Sequence, residues 1–327
     1  MSASVLIAVT HLLGSGHLVR AANLARALAQ GGFSVTLAGG GMPLRAMEGE
    51  PFAFVQLPPI RTEGTDFRTL LDEAGQPIEP ERKTARIAML EELAARLRPD
   101  VVIVEHFPFG RRQLAEEFLA LIAAVVLSSV RDVLVTPRPD RIAEAEERIT
   151  GLFDAVLVHG DANFLPLDRS WPVGEGLAGK LRYTGYIADD RPVGDAQENG
   201  EIIVSGGGSA AALPLFANAV AAARLDRSGR RWRLLAGRGI AEVDLALLAA
   251  EAVDRVVIER ARPDFPALLA GCAVSISQAG YNTVLDLVAA GRPAIVVPFD
   301  AGNETEQTVR AEAMERAGLA RCFRLSG

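Results

Sequence analysis

The sequence predicts an α/β protein made of two Rossmann-like, doubly wound parallel-sheet domains. Three observations carry that reading. Short apolar runs alternate with longer amphipathic stretches along the 327 residues. The alternation lapses once, near 183–200, and then restarts. Each half opens in the same way, with an apolar run, a glycine-rich loop and a helical pattern.

The runs VLIAV (5–9), SVTLA (34–38), FAFVQL (52–57), DVVIVE (100–105), AVVLSSV (124–130) and DAVLVH (154–159) are continuously apolar rather than alternating. That is the signature of parallel strands covered on both faces. Helices are expected at 17–30, 80–98, 111–123 and 139–150. In the first, Leu18, Ala21, Ala22, Ala25, Leu28 and Ala29 recur at helical spacing, and Gly31 and Gly32 supply a stop. YTGYIADDRPVGDAQENG (183–200) is rich in Gly, Asp and Pro and reads as a linker. The expected domains are therefore 1–184 and 201–327, joined by 185–200. The second domain begins with EIIVSGGG (201–208) and continues through strands at WRLLAG, RVVIER, AVSISQ, AIVVPF and LARCF. Open parallel sheets bind ligands at the carboxyl ends of their strands, and two such domains predict a cleft.

Composition excludes several classes. The formal net charge is −7 and basic residues do not cluster, which argues against nucleic acid as a partner. The two cysteines, Cys272 and Cys322, are far apart, which fits neither a disulfide framework nor a zinc site and suggests a cytoplasmic location. The N-terminus has no basic segment before an apolar one, so a secretory signal is not expected. No apolar stretch is long enough to span a bilayer, while peripheral membrane contact stays open.

The first loop, GSGHLV (14–19), begins like the dinucleotide fingerprint GxGxxG and fails at Val19. The second strand ends in Ala38 and glycines, without an acid to grip a ribose, and a P-loop motif is absent. A nicotinamide enzyme is therefore disfavoured. Gly14 and Gly16 still permit close backbone approach and expose helix N–H groups. His17, beside that positive dipole end, is biased to the neutral form that a general base requires. Taken locally, a surface histidine beside a tight turn is the simpler reading.

SGGGSAA (205–211) presents Gly206, Gly207 and Gly208 before a small-residue helix, which suits either an anion cradle or a flexible turn. In ISQAGYNTVLDLVAAGRPAIVVPF (276–299), Gly280 separates a strand from a helix that starts at Tyr281. Val284, Leu287 and Val288 form its expected buried stripe, with Asn282 and Asp286 on another face. Loop amides and a carboxylate one turn later suit a phosphate and an adjacent diol. In AGNETEQTVRAEAMERAG (301–318), Asn303 and Glu306 fit a capping box, whereas Gln307 has no such local explanation. Glu105, His106 and Asp132 end strands on the ligand side, as orienting or binding groups or as loop caps. Arg260 and Arg262 follow a second-domain strand and could stack on a base or pair with phosphate.

At these residues the chain resembles the GT-B glycosyltransferases, and most of all glycosyltransferase family 28, which includes the peptidoglycan lipid-intermediate N-acetylglucosaminyltransferases. The order of loop, helix, acid, AAG-x-P and later Gln carries the resemblance. EHFPFGR (105–111) and AGYNT (279–283) are similar to bacterial "predicted glycosyltransferases", and GSGHLVR is similar to GxGHxxR of a UDP-sugar hydrolase of pseudaminic acid synthesis. The resemblance implies the GT-B fold with a C-terminally shortened second domain, since the sequence stops at Gly327 just after its last strand. It implies a UDP-type nucleotide-sugar donor, a hydroxyl acceptor and no cofactor. His17 takes the position of the base, Gly206–Gly208 and Gly280, Tyr281, Asn282 and Thr283 the donor phosphates, Asp286 the ribose and Gln307 the donor sugar. Asp286 stands where the family has Glu, and Gly208 and Ser209 stand where Ser and Gln are usual. No DxD triplet is present, which points to metal-independent transfer stabilised by helix N-termini. A nucleotide-sugar hydrolase and a non-catalytic sugar-nucleotide-binding protein are the alternatives.

Overall fold

The computed structural model of the chain describes all residues except 1, 13, 45, 46, 48, 64, 65, 122–124, 189–197, 209, 302, 303, 326 and 327, with backbone alone at 63, 66–68 and 210. It divides into two compact units, Met1–Ile187 and Ala188–Gly327.

The first unit runs β1 (Ser4–Val9), α1 (Gly16–Gln30), β2 (Ser34–Gly39), β3 (Ala53–Gln56), β4 (Arg61–Glu63), β5 (Asp66–Leu71), α2 (Pro80–Leu97), β6 (Val101–Glu105), α3 (Ala115–Leu119), β7 (Val125–Arg131), α4 (Pro139–Leu152), β8 (Ala155–His159), α5 (Glu175–Ala178) and β9 (Leu181–Tyr183). Seven strands form one parallel sheet in the order β3-β2-β1-β6-β7-β8-β9. Both faces are covered, as the continuous apolar runs require. Leu18, Ala21, Ala22 and Ala25 of α1 pack on one side with Val5, Ile7 and Val9. Leu90 and Leu93 of α2 and Phe118 of α3 pack on the other with Leu6, Ala8, Val102 and Val104.

The second unit runs β10 (Ile202–Ser205), α6 (Leu213–Leu225), β11 (Trp232–Ala236), α7 (Glu242–Glu251), β12 (Val256–Arg260), α8 (Phe265–Gly271), β13 (Val274–Ser277), α9 (Tyr281–Ala290), β14 (Ala294–Val296), α10 (Glu306–Arg316) and β15 (Arg321–Cys322). Its parallel sheet has the order β12-β11-β10-β13-β14-β15.

In each sheet the strand order reverses once, beside the first strand: between β1 and β6, and between β10 and β13. Loops leave in opposite directions at such a point, and the gap between them is where doubly wound sheets hold ligands. The loop before α1 and the end of β6 meet at the first reversal. Gly206–Gly208 and 278–280 meet at the second.

Three expectations need correction. The helix expected over 111–123 is one 3₁₀ turn, Arg112–Leu114, followed by the five-residue α3. The connection after β6 is tight instead: His106 and Arg111 both take left-handed backbone conformations, φ 67° and 58°. An antiparallel pair, β4 with β5, stands where no element was expected. In α9 the buried stripe is Tyr281, Val284 and Leu287, while Val288 is 52% exposed. Periodicity names a face but not which neighbours cover its last turn.

Candidate functional site

In the first unit, Gly14 has φ +67°, which an L side chain rarely adopts, and its turn delivers His17 to the first turn of α1. One turn on, the guanidinium of Arg20 lies on the buried face of the helix. Both meet Glu105, the last residue of β6. His17 Nδ1 is 3.0 Å from Glu105 Oε1, and Arg20 Nη2 donates to that same oxygen. Ser129, beside Glu105 on β7, donates to Oε2 at 2.6 Å. A buried carboxylate is costly unless paired, and this one accepts from three donors. Because the carboxylate can only accept, Nδ1 of His17 carries the proton and Nε2 keeps its lone pair.

The charges around this pair are lopsided. Burial pushes Glu105 up, but Arg20, His17 and Ser129 outweigh it and hold the carboxyl well below its usual range. Burial and then the Arg111 guanidinium push His17 down to about 3, against the pull of Glu105, with Arg20 and Arg131 adding to the depression. His106, whose ring centroid is 5.1 Å from that of His17, is also lowered by burial, by His17, and by Arg111 and Arg131. Burial and Arg131 bring even Arg111 down to about 10. Two polar atoms here, Arg111 Nε and His106 Nδ1, are buried without a hydrogen-bond partner among the described residues. One carboxylate thus faces three guanidiniums, which favours an anionic ligand.

In the second unit the corresponding place is made of backbone. Ser205 and Ser277 lie opposite one another, with their hydroxyls 3.1 Å apart. A Cβ on Gly206 would fall 2.1 Å from that of Ala212, so only glycine lets the loop fold this closely onto the next turn. Gln278 donates to Ala211 O at 3.0 Å and ties the two loops together. The peptide of Ala279 is clamped from α10: Gln307 Oε1 accepts its N–H at 3.1 Å, and Arg310 donates to its carbonyl at 2.7 Å. Gly280 then caps α9, whose first-turn backbone N–H groups have no acceptor within the helix itself, the arrangement that suits an anion. Asn282, Thr283 and Asp286 are half-buried along α9. Among the described residues, three His, Cys, Asp or Glu side chains nowhere gather as a metal site.

Residues 202–326 match the family model "Glycosyltransferase family 28 C-terminal domain". Over 322 residues, covering 93% of the chain and 81% of the relative, the sequence is 28% identical to a UDP-N-acetylglucosamine--N-acetylmuramyl-(pentapeptide) pyrophosphoryl-undecaprenol N-acetylglucosamine transferase of Thiobacillus denitrificans. A protein of the same name from Solibacter usitatus is 43% identical over 61 residues, which are 19% of this chain and only 17% of that protein. Among solved structures, MurG of Acinetobacter baumannii superposes with a TM-score of 0.62 at 19% identity, over 99% of this chain and 86% of that one. The glycosyltransferase SnogD of Streptomyces nogalater gives 0.64 at 19%, over 99% and 87%. The chain has the GT-B fold and is glycosyltransferase family 28-like.

The remaining candidates of this family 28-like chain make internal contacts, and one of them, Glu306, departs from expectation. Glu306 is the first residue of α10, after an N-cap Thr305 whose side chain makes no capping bond, and it is buried against Arg310 at 3.0 Å. It is therefore half of an internal ion pair, not of a capping box; Asn303 lies outside the described residues. The carbonyl of Gln307 is committed to Ala279 N–H and to Phe299 N–H, both at 3.1 Å, so this oxygen shapes the loop. Arg260 spends its donors on the carbonyls of Gly237 and Ile240 and on Glu242, and Arg262 pairs with Asp264. Asp132 is buried and accepts the N–H of Val133 at 2.8 Å. Of the first-unit candidates, His17, Glu105 and His106 come together. Sequence reasoning missed Arg20, Arg111, Ser129 and His159. Their signals were faint: an arginine on an apolar helix face three residues after His17, and a serine and a histidine inside apolar strands.

Proposed function

We propose that the chain transfers a sugar from a UDP-type donor to an acceptor hydroxyl, with His17 as general base and the second unit holding the donor. The observation that carries this is the pairing of His17 Nδ1 with Glu105 at the strand reversal, which leaves Nε2 available. In the proposed step Nε2 takes the acceptor proton while the acceptor oxygen bonds to the anomeric carbon. The bond from that carbon to the phosphate oxygen breaks, and the nucleoside diphosphate leaves with the electron pair. The N–H groups at the start of α9 and the Gly206–Gly208 loop stabilise its charge, with Asp286 on the ribose hydroxyls; the sequence, lacking a DxD triplet, suits a reaction without a metal.

The acceptor is proposed to carry an anionic group near its hydroxyl. Arg111 supports this, with its buried and unpartnered Nε, as does the "pyrophosphoryl" acceptor in the relatives' name. Such a group would also offset the charges that depress His17 and bring its proton affinity toward a base's working range.

The test is calorimetry with UDP, NAD and ATP, followed by UDP release from UDP-sugars with and without phosphorylated acceptors. UDP binding with acceptor-dependent release is expected, and Arg111→Gln should raise KM for the acceptor while leaving UDP affinity intact. Binding of NAD or ATP without UDP would end the proposal, and UDP release that ignores every acceptor would make the protein a hydrolase.

A further inference from the structure

Behind Glu105 runs a chain of hydrogen bonds that the transfer step does not use. Ser129 Oγ lies 2.6 Å from Glu105 Oε2 and 2.8 Å from His159 Nε2, and His159 Nδ1 lies 2.8 Å from Thr184 Oγ1. His159 is 0% exposed. Glu105 and Ser129 are register partners on β6 and β7, and His159 ends the next strand, so the sheet itself aligns the three.

The proton positions follow from chemistry. Glu105 Oε2, ionised, can only accept, so the single hydroxyl proton of Ser129 goes to it. The other partner of Ser129 Oγ must then donate, which places a proton on His159 Nε2. Burial, followed by Arg20, brings the His159 imidazole down to about 4, so it is neutral at pH 7; with the ring proton on Nε2, Nδ1 faces the hydroxyl of Thr184, which also reaches the carbonyl of Gly185 at 3.0 Å. The bonds from His159 Nε2 to Ser129 and from Ser129 to Glu105 therefore both point toward the carboxylate, and aligned hydrogen bonds reinforce one another. Apolar residues at positions 129 and 159 would cost less to bury among these strands.

We propose that Ser129 and His159 are positioning residues: they fix Glu105 so that its other oxygen faces His17 and holds that ring in the Nδ1–H tautomer. The proposal rests on the reading of His17 as base. Its test is therefore one that does not depend on turnover alone. The charged and titratable groups facing this pair are Arg20 on α1, His106 and Arg111 after β6, Arg131 on β7 and His159 on β8.

Nitrogen-15 spectra of the histidines in the full chain at neutral pH should show His159 as the Nε2–H tautomer and His17 as Nδ1–H. Ser129→Ala should leave the UDP Kd unchanged, give His17 a mixed tautomer population and lower kcat roughly tenfold. His159→Gln, which keeps a donor near the Nε2 position, should retain most of the wild-type kcat; His159→Leu should not. An Nδ1–H tautomer at His159, or a folded Ser129→Ala protein with the wild-type His17 spectrum, would overturn the proposal. If the tautomers are as expected but His17→Ala retains full turnover, the base reading fails while the positioning of the ring stands.

Discussion

The two strand reversals of this chain are built from opposite materials. In the first unit the loops deliver side chains, and a buried carboxylate, guanidinium, serine and histidine join the half-buried His17. In the second, glycines and backbone N–H groups form the surface, while the polar side chains Gln278, Gln307 and Arg310 work behind it as braces. All four histidines of the chain, His11, His17, His106 and His159, belong to the first unit, on the carboxyl edge of its sheet. One fold thus offers two kinds of place. A coupled set of ionisable groups can hold or move a proton, whereas a preformed backbone cradle can hold a phosphate without titrating.

The widest separation between the units is expected from His17→Ala. It should cut kcat by ~10²–10⁴, the usual worth of a positioned base, and leave UDP affinity unchanged because the proposed donor contacts belong to the other unit. Kinetics alongside calorimetry would check this. A mutant that also loses UDP would erase the distinction.

Asp286→Ala should show the reverse pattern. UDP binding should weaken by ~1–3 kcal/mol, the cost of unpairing a polar contact, with kcat little changed at saturating donor. The helix should stay folded, since its buried stripe is Tyr281, Val284 and Leu287. An unaltered UDP Kd would remove the ribose role.

The smallest effect is on stability against pH. His17 and His159 titrate near 3 and near 4 in the folded chain, against an ordinary value of 6.5. Between roughly pH 4 and 6.5 the unfolded chain therefore binds more protons than the folded one, so stability is full above 6.5 and falls as pH drops through that window. The depressed Glu105 adds a loss of the same sign at still lower pH. The second unit has no histidine and should lose less. Each unit carries one buried tryptophan, Trp171 and Trp232, so Trp171→Phe and Trp232→Phe proteins report one unit each. Urea midpoints measured between pH 7.5 and 5 should fall further for the unit reported by Trp171. Equal shifts would contradict the histidine account.

The sequence by itself determined the two α/β sheets, because strands covered on both faces must be continuously apolar and their connecting helices must show one apolar face. It also marked Gly14–His17, Gly206–Gly208 and the run from Gly280 as glycines placed between a strand and a helix, which is where the fold has them. What only the tertiary structure decided is which side chains meet there. Sheet order sets β6 beside β1, and so brings Glu105 to His17 across 88 residues. The register of β6 with β7 and β8 adds Ser129 and His159. In α10, local spacing suggested a cap at Glu306, but packing turned it inward onto Arg310, and the Oε1 of half-buried Gln307 braces the loop at Ala279 and Phe299. Local pattern records the period of an element; the partners of a buried polar group come from strand order and register, which no single stretch of sequence contains.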